Sequence, residues 1–342
     1  MIQSNHATEN TETTSNEVAK NGLGKLFFLS FLTLVLSVKG PLLLFAAIPM
    51  VLAFLGYGYA KSFMAASLMI GVSIGISTIS PTMAAFASYG VTMVVTVFTA
   101  FLVASIVINN ENPVRGIYTR GFTIVLMTFA LLGAYQLFAD NSLREEVTRL
   151  VEAQIAMTKS DANYQELIKA GGESARSYEM ALSKPQEIVD TIMNWIFSAT
   201  FVGGFFLVLI SFFMILRNKK LWSRTTPYDF STEDLVNFKV PEQLAYIVVA
   251  GLVFYLSADF VEMPVLEIVG MNIVLSLGVF YFFQGMGIYT AFLNHLNIKG
   301  FLRSFLTLLT IFFAFRFIAI VGFFDLWANF KKYLKKNEGD IS

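Results

Sequence analysis

Between Lys61 and Glu111 the chain runs for 49 residues, Ser62 to Asn110, without one charged side chain. A bilayer core of roughly 30 Å is crossed by about 20 apolar helical residues, so this stretch has the length of two crossings back to back. Ser80-Pro81 near its middle supplies the turn, because proline donates no backbone hydrogen bond and disfavours the α region for the residue before it. The pattern recurs along the chain. We therefore expect an all-α, polytopic membrane protein with about eight or nine transmembrane helices.

The candidate segments are Leu26 to Val38, Leu42 to Tyr57, Ser62 to Ile79, Thr82 to Ile108, Gly121 to Ala139, Ile192 to Leu216, Leu244 to Ala258, Ile268 to Asn294 and Ser304 to Phe324. The first two are short, and Lys39-Gly40-Pro41 separates them. A tilted hairpin, or one crossing plus an interfacial helix, fits both. Leu26 to Val38 follows Lys20 and Lys25 as a signal peptide would, but no small-x-small cleavage site follows, so a retained helix is expected. Residues 1–20 are rich in Ser, Thr, Asn and Glu and read as an unstructured tail. The domains expected are this tail, membrane helices in 21–139, a helical insert in 140–190, further membrane helices in 191–330 and a basic tail in 331–342.

Composition removes several kinds of chemistry. Basic and acidic residues balance at 24 each, so no net field points to nucleic acid. There is no Cys and there are two His, which leaves no thiolate chemistry and no histidine-rich metal centre. Nucleotide-binding glycine loops and HExxH are missing from the sequence. The expectation is a protein that is not an enzyme and carries no cofactor or metal.

The insert begins with Ser142-Leu-Arg-Glu145 and ends with Ser183-Lys-Pro-Gln186, both capping-box patterns. Leu143, Val147, Leu150 and Val151 fall at helical spacing, and Gly171-Gly172 interrupts the pattern. It reads as a helical hairpin of about 50 residues, too small for an independent enzyme domain; a cap, a spacer or a partner-binding element all fit. Its six basic and ten acidic residues contrast with five basic and four acidic in the linker Arg217 to Glu242. The rule that Lys and Arg gather on the cytoplasmic side puts that linker inside, along with Arg115, Arg120 and the N-terminus, and puts the insert outside. Nine full crossings would then strand Lys331, Lys332, Lys335 and Lys336 outside, so the count and the charge pattern conflict.

A few polar residues interrupt the apolar segments. Asn272, Ser276 and Gln284 lie in the eighth, and a helix with several polar groups lines a cavity or bonds its neighbours. Arg316 lies near the centre of the ninth, where an unpaired Arg costs about 2.5–3.5 kcal/mol. Either it faces a partner such as Glu267, Asp259 or a bound anion, or the segment lies partly in the interface and Arg316 snorkels. Asn272, Ser276, Gln284 and Arg316 form the candidate substrate-binding set. Ser67, Gly71 and Gly75 repeat every four residues in the third segment, the small-xxx-small pattern that lets helices pack closely, within the chain or against another subunit. Trp195, Trp222 and Trp327 sit near segment ends, as an interfacial belt does.

Phe238-Lys-Val-Pro-Glu242, then Asn272, then Phe283-Gln-Gly-Met-Gly287, then Gly322-Phe-Phe-Asp-Leu-Trp327 are ordered landmarks. In these the chain resembles the YybS-like family of bacterial multi-pass membrane proteins. It is also similar, at a distance, to the membrane-embedded substrate-binding subunits of energy-coupling-factor transporters, although their first-helix Ala-x-x-x-Ala spacing is found here at Ala100 and Ala104 in the fourth segment and not in the first. The resemblance implies a bacterial plasma-membrane location and supplies no catalytic residues. Two functions stay open: a small-molecule transport or substrate-binding subunit energised by a partner ATPase module, or an envelope interaction and assembly protein without transport activity. Both place the chain in the lipid bilayer, with no nucleic-acid partner.

Overall fold

Inside hydrocarbon a crossing segment has to satisfy its own backbone N–H and C=O groups, and a helix does so within a single segment. The computed structural model describes residues 6–38, 40–79, 83, 85–138 and 141–334, and every regular element among them is helical. In chain order these are α1 (His6–Val38), α2 (Leu43–Tyr57), α3 (Tyr59–Ser77), α4 (Ala85–Ile108), α5 (Pro113–Phe138), α6 (Leu143–Ser160), α7 (Ala162–Ala170) and α8 (Glu173–Leu182). Then follow α9 (Pro185–Arg217), α10 (Thr232–Val236), α11 (Gln243–Val261), α12 (Pro264–His295), α13 (Gly300–Phe313), α14 (Phe315–Ala328) and α15 (Phe330–Leu334). The stretch expected to be an unstructured tail is helical from His6 onward as the start of α1. Residues 1–5, the side chains of 6–21, the Ser80-Pro81 turn, Lys335 and Lys336 lie outside the described residues.

Among the described residues six helices are long and apolar enough to cross a membrane: α3, α4 from Ser88, α5, α9, α11 and α12. Gly22–Val38 and α2 are apolar but shorter. The ninth expected segment is not one helix. It breaks at Ala314 into α13 and α14, whose axes meet at 92°. The protein is an all-α polytopic membrane protein.

The chain divides into two compact units, Met1–Phe122 with Gly204–Phe238 and Thr123–Gly203 with Lys239–Ser342. In the first, α2 packs against α1, α3 and α4 and buries Ala46, Ala47, Met50, Val51, Ala53, Phe54 and Leu55. Phe54, Tyr59, Phe63 and Phe101 form one aromatic cluster. The linker 218–238 folds back as a strap. Thr226 donates to the Leu55 carbonyl at 3.1 Å, Tyr228 to the Glu111 carbonyl at 2.8 Å, and Asn110 and Asp229 bond reciprocally. Trp222 is buried and donates to the Ile215 carbonyl. Lys219 binds the Tyr228 and Phe230 carbonyls. These ties place the linker, the α2–α3 turn and the α4–α5 loop at one end of the unit, so Lys61, Arg115, Arg217, Lys220 and Arg224 gather there. Burial beside Asp234 and Glu111 pushes the Tyr228 phenol well above its ordinary range.

In the second unit α11 and α12 form a tight hairpin around Gly251 and Gly270, where a Cβ at Gly251 would stand 2.7 Å from Ile273 Cγ2. The insert, α6 to α8, makes helix-to-helix contacts in sequence, α6 with α7 and α7 with α8. The Ser142 capping box forms as expected, with Glu145. The second one does not: Ser183 caps the end of α8 and bonds the Met180 carbonyl, because Pro185 takes the first helical position of α9, where its missing N–H costs nothing. Gly171 and Gly172, at φ of 70° and 98°, separate α7 from α8.

Candidate functional site

Two buried polar side chains of the second unit, Gln284 and Asp325, meet where α11 begins and α14 ends. The α11–α12 register brings Val240, three residues before α11, beside Gln284, and this residue outside a helix has a backbone N–H to satisfy. Gln284 Oε1 accepts that N–H at 2.8 Å, and its Nε2 donates to Asp325 Oδ2 at 3.0 Å. Asn329 then turns left-handed, at φ 48°, which swings the Phe330 N–H back onto Asp325 Oδ1 at 2.7 Å. Gln284 is 2% exposed and Asp325 7%. One carboxylate and one amide thus tie the entry to α11, the middle of α12 and the start of α15.

Two glycines make the knot close. A Cβ on Gly285 would overlap the Ile318 carbonyl, and one on Gly322 would overlap the Tyr281 carbonyl. α12 and α14 therefore touch backbone to backbone, and Asp325, three residues past Gly322, falls within reach of Gln284.

Burial holds the Lys331 ammonium below its ordinary range, Asp325 draws it back up, and Lys239 pushes it further down. Lys331 thus shares its surroundings with Lys239 of the linker. The ninth segment therefore ends beside Lys239, at the entry to α11.

The other expected binding residues do not join Gln284. Asn272 Oδ1 accepts the Ser198 N–H at 3.0 Å, while Nδ2 donates to the Asn194 and Ile268 carbonyls, each at 2.8 Å. Asn194 C=O and Ser198 N–H are the two ends of one i to i−4 rung of α9, so this amide binds both halves of a helical rung. Ser276 is buried at 3% exposure, and its hydroxyl finds no hydrogen-bond partner among the described residues. Arg316 is exposed on the first turn of α14, over the Phe315 ring, and makes no ion pair among the described residues. A depression of about 200 Å³ at Asn272 is lined by Asn194, Trp195, Ser198 and Glu267, with a second of about 310 Å³ at Asp259, Glu262 and Glu267. Among the described residues no three His, Asp or Glu side chains are placed to hold a metal ion.

The small-residue stripe also needs correction as an internal packing face. Ser67, Gly71 and Gly75 are exposed, and a Cβ on either glycine would meet open space. α3 instead buries Ser62, Ala65, Ala66 and Ser73, the last donating to the Phe86 carbonyl of α4 at 2.6 Å.

Three of the four sequence landmarks meet in the knot: Val240 from the first, Gln284 and Gly285 from the third, Gly322 and Asp325 from the last. A family model described as predicted membrane protein (DUF2232) matches residues 26–326. The chain belongs to that family. No curated protein and no solved structure matches it. The DUF2232 match begins with the first apolar helix and ends one residue beyond Asp325. Asp325 was not among the expected site residues; the readable signal was the pairing of Gln284-Gly285 with Gly322-x-x-Asp325.

Proposed function

We propose that this DUF2232 protein is a non-catalytic membrane subunit that works by docking other envelope proteins, with the α6–α8 insert as its main contact surface. The observation that carries this reading is a contrast in how side chains are used. Gln284, Asp325 and Asn272 spend their hydrogen-bonding groups on the chain itself. The insert exposes Leu150, Met157, Tyr178 and Met180, with Val151 and Ala175 as its buried apolar residues. Each large apolar side chain left in water forgoes about 1.5–3 kcal/mol of burial, which a partner supplies. On this reading the strapped end carrying Lys61, Arg115, Arg217, Lys220 and Arg224 faces the cytoplasm and the insert faces outward.

The test is cross-linking mass spectrometry on membranes expressing the full chain. Defined envelope proteins should cross-link to the insert in the wild type, and L150D with M157D should abolish those cross-links without lowering the Tm. An unchanged partner set would sink the reading.

The depression at Asn194, Trp195, Glu267 and Asn272 favours a second reading, a transport or substrate-binding subunit energised by a partner ATPase. Native mass spectrometry of the gently extracted protein should then show a metabolite that E267Q releases. A ligand-free protein at every extraction condition would count against it.

A further inference from the structure

We propose that the elbow between α13 and α14 is a docking surface for an anionic phospholipid, with Arg316 meeting the phosphate and the surrounding phenylalanines lying along the acyl chains. α14 packs along α12, a spanning helix, and α13 meets α14 at 92°. α13 therefore runs across the spanning direction, in the plane of the membrane. Its apolar stripe is Phe301, Phe305 and Leu309, all exposed, with Phe301 and Phe305 stacked. An amphipathic helix in that attitude marks the depth of the headgroups, and Arg316 follows it by two residues from the break at Ala314.

The charge on this surface has one sign. From Lys299 to Phe324 the chain carries Lys299, Arg303 and Arg316 and no acidic residue. Phe313, Phe315 and Phe317 around Arg316 are 84%, 48% and 64% exposed. Arg303, in the first turn of α13, donates to Asn294 Oδ1 at 2.7 Å and so sits at the α12–α13 turn, at the far end of α13 from Arg316. A guanidinium presents a planar fork of donors that fits a phosphate oxygen pair, and an exposed aromatic surface inside a bilayer is covered by acyl chains. A lipid with net negative charge satisfies both halves at once; a zwitterionic lipid leaves the cations uncompensated. This surface is separate from the insert that docks proteins.

The experiment exposes the full-length protein in gentle detergent to equal amounts of phosphatidylglycerol and phosphatidylcholine of matched chains, and counts retained lipids by native mass spectrometry. Phosphatidylglycerol should be retained preferentially, and R316Q should lower the ratio about five-fold, the contribution of one basic residue at an anionic surface. R316K should fall between, and R115Q should leave the ratio unchanged. Where R316Q folds poorly, the wild-type Tm decides: it should rise with phosphatidylglycerol and not with phosphatidylcholine. Equal retention of the two lipids, an R316Q ratio like the wild type, displacement by millimolar inorganic phosphate, or a lipid-free dimer joined through the elbow would each overturn the proposal.

Discussion

Two regions of the molecule carry the same sequence signal, small residues in a helix, and use it in opposite ways. On α3, Ser67, Gly71 and Gly75 form a regular exposed stripe, and no described residue lies within 4 Å of where a Cβ on either glycine would stand. On α12 and α14, Gly285 and Gly322 are single glycines in different helices, and each is pressed against the other helix's carbonyl oxygen. What distinguishes them is the opposing surface. A glycine brings backbones together where a second glycine and a bond across the gap await it, and the gap at α12–α14 is closed by Gln284 and Asp325.

The largest expected effect breaks that contact. G322A places a methyl group inside the Tyr281 carbonyl, and G285A does the same at Ile318, with backbone rather than a flexible side chain in the way. Overpacking of this kind costs about 1–3 kcal/mol and more when backbone cannot give, so both variants should show a large fall in Tm in detergent. A Tm within a degree of the wild type would mean that the helices do not touch here.

Next in size is Q284A. It strands the Val240 N–H and one oxygen of Asp325 in a buried place, which costs about 1–3 kcal/mol for each unsatisfied group. Hydrogen exchange should accelerate at Val240 and, because Asp325 also holds the Phe330 N–H, at the start of α15. Acceleration at Val240 alone would show that Asp325 caps α15 without help from Gln284.

N272A should cost less, about 1 kcal/mol, although Asn272 makes three bonds. Two of its partners, Asn194 C=O and Ser198 N–H, can bond each other once the amide leaves, so little stays unsatisfied. Comparing the Tm of N272A with that of Q284A separates a polar residue that adorns a helix from one that joins three segments. Equal losses would mean that α9 is unable to close its own rung.

How far the sequence reached follows from what each signal measures. A crossing is a rule about length and polarity, so the described parts of the first eight apolar segments each fall mainly on one helix, and the ninth falls on two. The break at Ala314 left no trace, because Ser304 to Val321 holds no proline or glycine and reads as one continuous segment. It arises from tertiary contact, where Ile318 and Gly322 dock on Gly285 and fix the direction of α14. Gln284 stood out as a buried amide, but its partners Val240 and Asp325 lie 44 and 41 residues away. Asn272 and Ser276 share a helical face, yet only Asn272 is long enough to reach the α9 backbone. The Ser183 pattern failed for a local reason, since Pro185 outcompeted the capping box for the start of α9.

The smallest effect is expected on α3, and its size decides what the exposed stripe is for. Gly71 and Gly75 lie inside a helix with open space beside them. Replacing either with Ala removes the conformational freedom that glycine loses on folding, worth up to about 1 kcal/mol in a helix. With no neighbour to strike, G71A and G75A should leave the Tm of the isolated protein unchanged or slightly raised, while G285A collapses it. A clear fall in Tm for G71A in the purified monomer would place a packing partner on that face and erase the contrast between the two regions. A Tm unchanged in detergent but lowered in native membranes would locate the partner outside this chain, and the regular stripe would then differ from the α12–α14 pair only in where its second surface is encoded.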